Sequence, residues 1–126
     1  MQIFVLNKDP KKSANLLFNL DFKRANKQIV ELGQILSAVS KNKYNIKNKK
    51  LYKNCFINHP IILWVSNKHI NFLWTLQYLK ELLNKFLIIR HKHHKTEIIY
   101  NTIILYKNNK LKNIYIINLI KNNIIF

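Results

Sequence analysis

Glycine is almost missing from this sequence: Gly33 is the only one in 126 residues. Phosphate-binding loops and dinucleotide fingerprints need several glycines, because the backbone must approach an anion closely. P-loop, kinase and Rossmann chemistry are therefore excluded, and so is the glycine-flanked nucleophile elbow of serine hydrolases. Acids are scarce too. Asp9, Asp21, Glu31, Glu81 and Glu97 are the complete set, and they are too dispersed in sequence to favour a two-metal nuclease site. Cys55 is the single cysteine, so an internal disulfide and a cysteine-based zinc site cannot form, and a reducing, cytosolic setting is expected. No apolar run approaches the roughly 20 residues needed to span a bilayer. The apolar start MQIFVL is too short for a signal peptide.

What the chain has in quantity is positive charge and apolar surface. Lysine and arginine number 22, giving a formal net charge of +17. Such an excess points to a polyanionic partner: DNA, RNA or an acidic membrane surface. A lysine-, asparagine- and isoleucine-rich composition also follows from an A+T-rich coding sequence, which accounts for part of the charge but not for the near absence of acids. Apolar residues make up 48% of the chain, enough for a core and against whole-chain disorder. The length suits one domain over residues 1–126.

The best-patterned stretch is Asp21 to Ser40. Phe22, Ala25, Ile29, Leu32, Leu36 and Val39 recur at steps of three and four, one face of a helix. Arg24, Lys27 and Glu31 rim that face, and Gly33 inside it suits close approach of another helix or a ligand backbone, at a cost of about 1 kcal/mol relative to alanine. Ahead of it, Gln2 to Leu6 reads as a strand or extended arm. Asp9-Pro10 reads as the N-cap and first position of a short helix through Leu16, Leu17 and Leu20, which the Asp21 to Ser40 helix follows after a bend or continues directly. Lys41 to Asn54 is basic and aperiodic, a loop in which Tyr44 and Tyr52 stand among lysines. His59-Pro60 opens a short apolar helix, and Ser66 is placed to cap a long one from Asn67 to about Arg90. There Phe72, Leu76, Leu79, Leu83 and Phe86 form the core stripe, and Glu81 and Lys85 an i,i+4 pair. Trp64 and Trp74 read as core residues. In the last third, Thr96 to Tyr106 reads as a helix, and Asn113 to Phe126 fits strand or helix equally. The expected fold is a mainly α, compact helical bundle with an N-terminal arm.

Five histidines invite a metal, but His91, His93 and His94 have only Glu97 beside them at ligand spacing. A basic connector titrating near neutrality describes them better than a metal site. No metal and no small-molecule cofactor is expected. One carboxylate and one amine are enough for a DNA glycosylase with lyase activity. Its amine attacks the sugar C1′, and a carboxylate stabilises the cationic sugar and moves protons. A positive surface holds the duplex and aromatic side chains help displace a base.

The run KRANKQIVELGQILS, followed by NHPIILWVSNKHINFLWTLQYLKELLNK, resembles a group of short phage-type proteins. Their pattern is a basic helix with one glutamate, then Asn-His-Pro, three residues, Trp and an Asn-aromatic helix. That pattern is similar to the phage-type pyrimidine-dimer DNA glycosylases (endonuclease V-like), small helical enzymes, and the likeness covers about residues 1 to 90. The resemblance implies a glycosylase/lyase acting on dimerised pyrimidines in double-stranded DNA, with an imine formed by the N-terminal amine. It makes Met1 the nucleophile, since the bulk of Gln2 should keep Met1 in place, and Glu31 the catalytic carboxylate. It makes Arg24, Lys23, Lys27, Gln28, His59 and Lys12 candidates for DNA contact. Arg24 stands where the family pattern has a histidine, and Asp21 lies three positions ahead of it rather than adjacent. The implied protein is a monomer working in the cytoplasm of a bacterial or infected cell. A non-catalytic basic nucleic-acid-binding protein is the alternative, and an interaction protein whose charge reflects codon usage is a third reading.

Overall fold

The computed structural model describes residues 1–53 and 57–121, with side chains through Lys110. Cys55, the end of the Lys41 to Asn54 loop and the last five residues of the Asn113 to Phe126 segment lie outside the described residues. Five helices follow an extended N-terminal arm: α1 Pro10–Leu20, α2 Phe22–Asn42, α3 Pro60–Asn67, α4 His69–Arg90 and α5 Glu97–Lys121. No strand occurs among the described residues.

Cap chemistry sets the early boundaries. The Asp9 carboxylate accepts from the Lys11 N–H at 2.9 Å, with Pro10 opening α1 where a missing donor costs nothing. Asp21 breaks the chain between α1 and α2: its backbone is extended, and its side chain accepts from the Arg24 N–H at 3.0 Å. Both helices then lie against α4, while α3 bridges α2 and α4, and α5 packs on the same two. One apolar core runs through the stripes of α1, α2 and α4 and takes in Ile99 and Ile103 of α5.

Several expectations are corrected. Ser66 does not cap α4. It lies within α3, which continues to Asn67, and the α3–α4 junction is Lys68, which makes no side-chain cap. The apolar run stays helical because Ile62 and Val65, one turn apart, both reach the core. Glu81 accepts from Gln77 at 3.0 Å, and the ion pairs among the described residues do not include Glu81 with Lys85. Trp64 is 41% exposed, not a core residue. Trp74 does pack against the core, and its indole N–H donates to the Lys8 carbonyl at 2.7 Å. Leu20 is exposed, and the buried face of α1 is Ser13, Ala14, Leu17 and Phe18. The Asn113 to Phe126 segment is helical through Lys121.

Gly33 marks a close approach in the bundle. A Cβ there would lie 2.6 Å from Thr96 Cγ2 and 2.8 Å from a Tyr52 ring carbon. Tyr52 and Thr96 hydrogen-bond to each other over it at 2.8 Å, tying the loop after α2 to the start of α5. Gly33→Ala gains about 1 kcal/mol of helix propensity, but overpacking a filled site costs typically about 1–3 kcal/mol. Because Tyr52 and Thr96 hold each other in place, a lowered thermal midpoint is expected. An unchanged or raised midpoint would show that the loop yields to a methyl group.

Candidate active site

The arm pairs with no strand among the described residues. In an extended chain alternate residues turn their backbone groups the same way, and here residues 2, 4 and 6 turn theirs toward the helices. Side chains take the place of a partner strand. The Gln2 N–H donates to the Glu31 carboxylate at 3.3 Å. The Gln28 amide spans the next step, with its Nε2 donating to the Gln2 carbonyl and its Oε1 accepting from the Phe4 N–H, both at 2.9 Å. The Phe4 carbonyl accepts from the Ser13 hydroxyl at 3.1 Å and from the Tyr78 hydroxyl at 2.9 Å. The Leu6 N–H donates to Ser13 Oγ at 3.0 Å. Thus α2, α1 and α4 each supply part of one clamp.

Glu31 and Gln28 are three positions apart on α2, about 4.5 Å of helix rise, and they meet successive backbone groups of the arm, Glu31 the Gln2 N–H and Gln28 the Gln2 carbonyl and the Phe4 N–H. The arm therefore descends α2 from the level of Glu31 toward that of Arg24. The Arg24 guanidinium lies 5.8 Å from the Phe4 ring centroid and 3.2 Å from the Asp21 carboxylate. Burial pushes the Tyr78 hydroxyl up to about 12, so it stays a donor to the arm at any ordinary pH. Met1 is half-buried and packs against the core.

This places Glu31, Gln28 and Arg24 along one side of α2, with the start of the chain drawn across them. Glu31 is half-buried and faces the first peptide N–H. The ion pairs among the described residues, Arg24–Asp21 and His93–Glu97, do not include it, so the i,i+4 pairing with Lys27 that its spacing allows is not made. Lys12, Lys23 and Lys27 are exposed. Gln28 is not on the outer edge of α2. It is 1% exposed, and both ends of its amide are engaged by the arm, so it holds backbone instead of presenting itself to DNA. His59 caps α3, its Nδ1 accepting from the Ile61 N–H at 3.1 Å. No described hydrogen bond links His59 to Glu31 or to the arm.

Sequence reasoning missed three participants. Ser13 and Tyr78 are buried polar residues on core stripes, and that placement is the signal that could have found them. Arg90, at the end of α4, sets its guanidinium 5.7 Å from the Phe22 ring centroid, on the first turn of α2. Among the described residues no group of histidine, cysteine and acid is arranged to hold a metal. His93 instead meets Glu97 at 2.5 Å. No described helix is long and apolar enough to cross a membrane.

The described geometry therefore offers one carboxylate beside the chain's start, exposed cations on the same helix, and a clamp that fixes the two relative to each other. No curated protein and no solved structure matches the chain. A family model, pyrimidine dimer DNA glycosylase, matches residues 1–100, the span that holds the arm, its clamp and α1 to α4. The chain thus belongs to the pyrimidine dimer DNA glycosylase family, enzymes of DNA repair that act on DNA.

Proposed function

We propose that this glycosylase removes dimerised pyrimidines from duplex DNA and then nicks the strand as a lyase, with the Met1 α-amine as nucleophile and Glu31 as the assisting carboxylate. The observation that carries the proposal is the 3.3 Å contact between Glu31 and the first peptide N–H of a clamped arm. The α-amine is the nitrogen one residue before that N–H, which supports Glu31 as its partner.

In the proposed reaction the unprotonated amine bonds to the sugar C1′ as the C1′–N bond to the pyrimidine breaks, and the base leaves with the bonding pair. Ring opening with loss of the amine proton gives an imine. Removal of a C2′ proton then expels the 3′ phosphate by β-elimination, and water frees the amine. Glu31 offsets positive charge on the sugar and carries the protons. Arg24, Lys23, Lys27, Lys12 and Arg90 supply phosphate contacts, and His59, whose Nδ1 caps α3, offers its other ring nitrogen to DNA. The bulk of Gln2 favours retention of Met1, and the packing of Met1 on the core gives a retained residue a fixed place.

Borohydride added to the protein with dimer-containing or abasic duplex should trap a covalent adduct, and sequencing its N-terminal peptide should locate the bond at Met1. Acetylating the N-terminus first should abolish the adduct. No adduct with duplex binding intact overturns the lyase mechanism. A steep salt dependence of binding without base release would favour the non-catalytic reading.

A further inference from the structure

At the other end of α2 the structure holds a second concavity. Asn42 is separated from Glu31 by about 16 Å of helix rise, and just beyond it Tyr44 turns toward the first turn of α4. A cavity of about 210 Å³ opens there, lined by Tyr44, His69 and Phe72, with Ile46 and Ile103 beneath and Tyr106, Lys107 and Lys110 at α5. The aromatic rings form one cluster. Tyr44 lies 4.8 Å from Phe72 and 5.7 Å from His69, and His69 and Phe72 are near-parallel at 22°. The Tyr44 hydroxyl is 2.7 Å from His69 Nδ1, which fixes the two rings relative to each other. Lys43 sets its ammonium 5.8 Å from the Tyr44 ring centroid.

Aromatic faces around an apolar floor accept a planar ring, and cations at the rim accept an anion attached to it. Among the described residues no acid lines the cavity. The α5 wall, from Ile103 to Lys110, lies beyond the residues that match the family.

We propose that the Tyr44–His69–Phe72 cavity binds a nucleotide, stacking its base on Tyr44 and His69, which the buried Phe72 ring backs, and setting its phosphate against Lys107 and Lys110. The nucleotide is either a free mononucleotide or an unpaired unit of a strand, and base stacking on aromatic rings with lysine on the phosphate serves both. The site is independent of the lyase mechanism, because none of its residues belongs to the arm or its clamp.

Ligand-observed NMR on the full chain with deoxyadenosine 5′-monophosphate tests the proposal, with deoxyribose 5-phosphate as the control lacking a base. Saturable binding of the nucleotide, at least tenfold tighter than the sugar phosphate, is expected. Tyr44→Leu should weaken it by about 5- to 100-fold, the range set by removing one stacking ring. Because Tyr44→Leu also removes packing on Phe72, Lys107→Glu combined with Lys110→Glu, both at α5, provides a second loss that does not touch the core. Tighter binding of a duplex with a short single-stranded overhang than of a blunt duplex, lost in the same variants, identifies a strand as the source. Equal binding of the two duplexes identifies the free mononucleotide. Failure of the mononucleotide to bind at millimolar concentration, or binding unchanged in both variants, overturns the proposal.

Discussion

Glu31→Gln is expected to lower single-turnover base release by at least ~100-fold, the low end of what a positioned acid–base group contributes, while duplex affinity stays the same or tightens. The amide is nearly isosteric and keeps an oxygen able to accept from the Gln2 N–H, so the arm should remain in place. What disappears is the negative charge. Since the ion pairs among the described residues do not include Glu31, removing that charge breaks no salt bridge, and the thermal midpoint should scarcely move. Losing an anion from a basic surface also weakens repulsion of phosphate, which is why affinity is expected to hold or rise. Base release by quenched-flow or gel assay, beside duplex binding by anisotropy, separates the two effects. An unchanged rate would remove Glu31 from the chemistry and leave it as an arm contact. A fall in rate matched by a fall in affinity would make it a binding residue.

The helices of this fold were legible where the cause is local. Asp9-Pro10 begins α1 because an acidic side chain reaches a backbone N–H two residues on, and no distant contact is involved; Asp21 caps α2 in the same way, but from the sequence α2 could follow a bend or continue α1. The α3–α4 junction was not legible. It rests on the Asn71 side chain donating to the Trp64 carbonyl at 2.9 Å, a closure that depends on how two helices meet. Gly33 could be read as a point of close approach, but not which groups approach. Tyr52 and Thr96 come from 19 and 63 residues downstream.

The site divides in the same way. Glu31 stood out as an acid on a basic amphipathic helix, and the family resemblance, which the match over residues 1–100 bears out, supplied its proposed partner. The clamp was missed because Gln28 was read with its exposed neighbour Lys27. Its spacing says otherwise: three residues after Ala25 and four before Leu32, it falls on the core stripe of α2. Ser13 and Tyr78 fall on the stripes of α1 and α4 in the same manner. A polar side chain on an apolar stripe must find a buried partner. Three of them on three helices, with a short apolar segment left over, imply a strand-like arm that they satisfy.

Gln28→Leu is expected to separate holding the arm from binding the duplex. The substitution keeps volume in the core but removes both hydrogen bonds to the arm, leaving the Gln2 carbonyl and the Phe4 N–H without their partner. An unsatisfied buried group costs about 1–3 kcal/mol, and the arm can avoid most of that cost by lifting into water. Ser13 and Tyr78 would still hold Phe4 and Leu6, so the part that comes free is the part carrying the α-amine. Displacing a reacting group by about 1 Å can cost ~100-fold, and the trapped adduct should form at least ~10-fold more slowly, with duplex affinity unchanged because Gln28 is buried away from solvent. Gln28→Glu gives the discriminating control. It retains an acceptor for the Phe4 N–H but turns a second acceptor toward the Gln2 carbonyl, so its rate should fall between those of the native chain and Gln28→Leu. Hydrogen exchange at the Phe4 amide should rise in the same order as the rates fall. Adduct formation at the native rate in Gln28→Leu, with Phe4 exchange accelerated, would mean that the amine does not need the clamp to find its target.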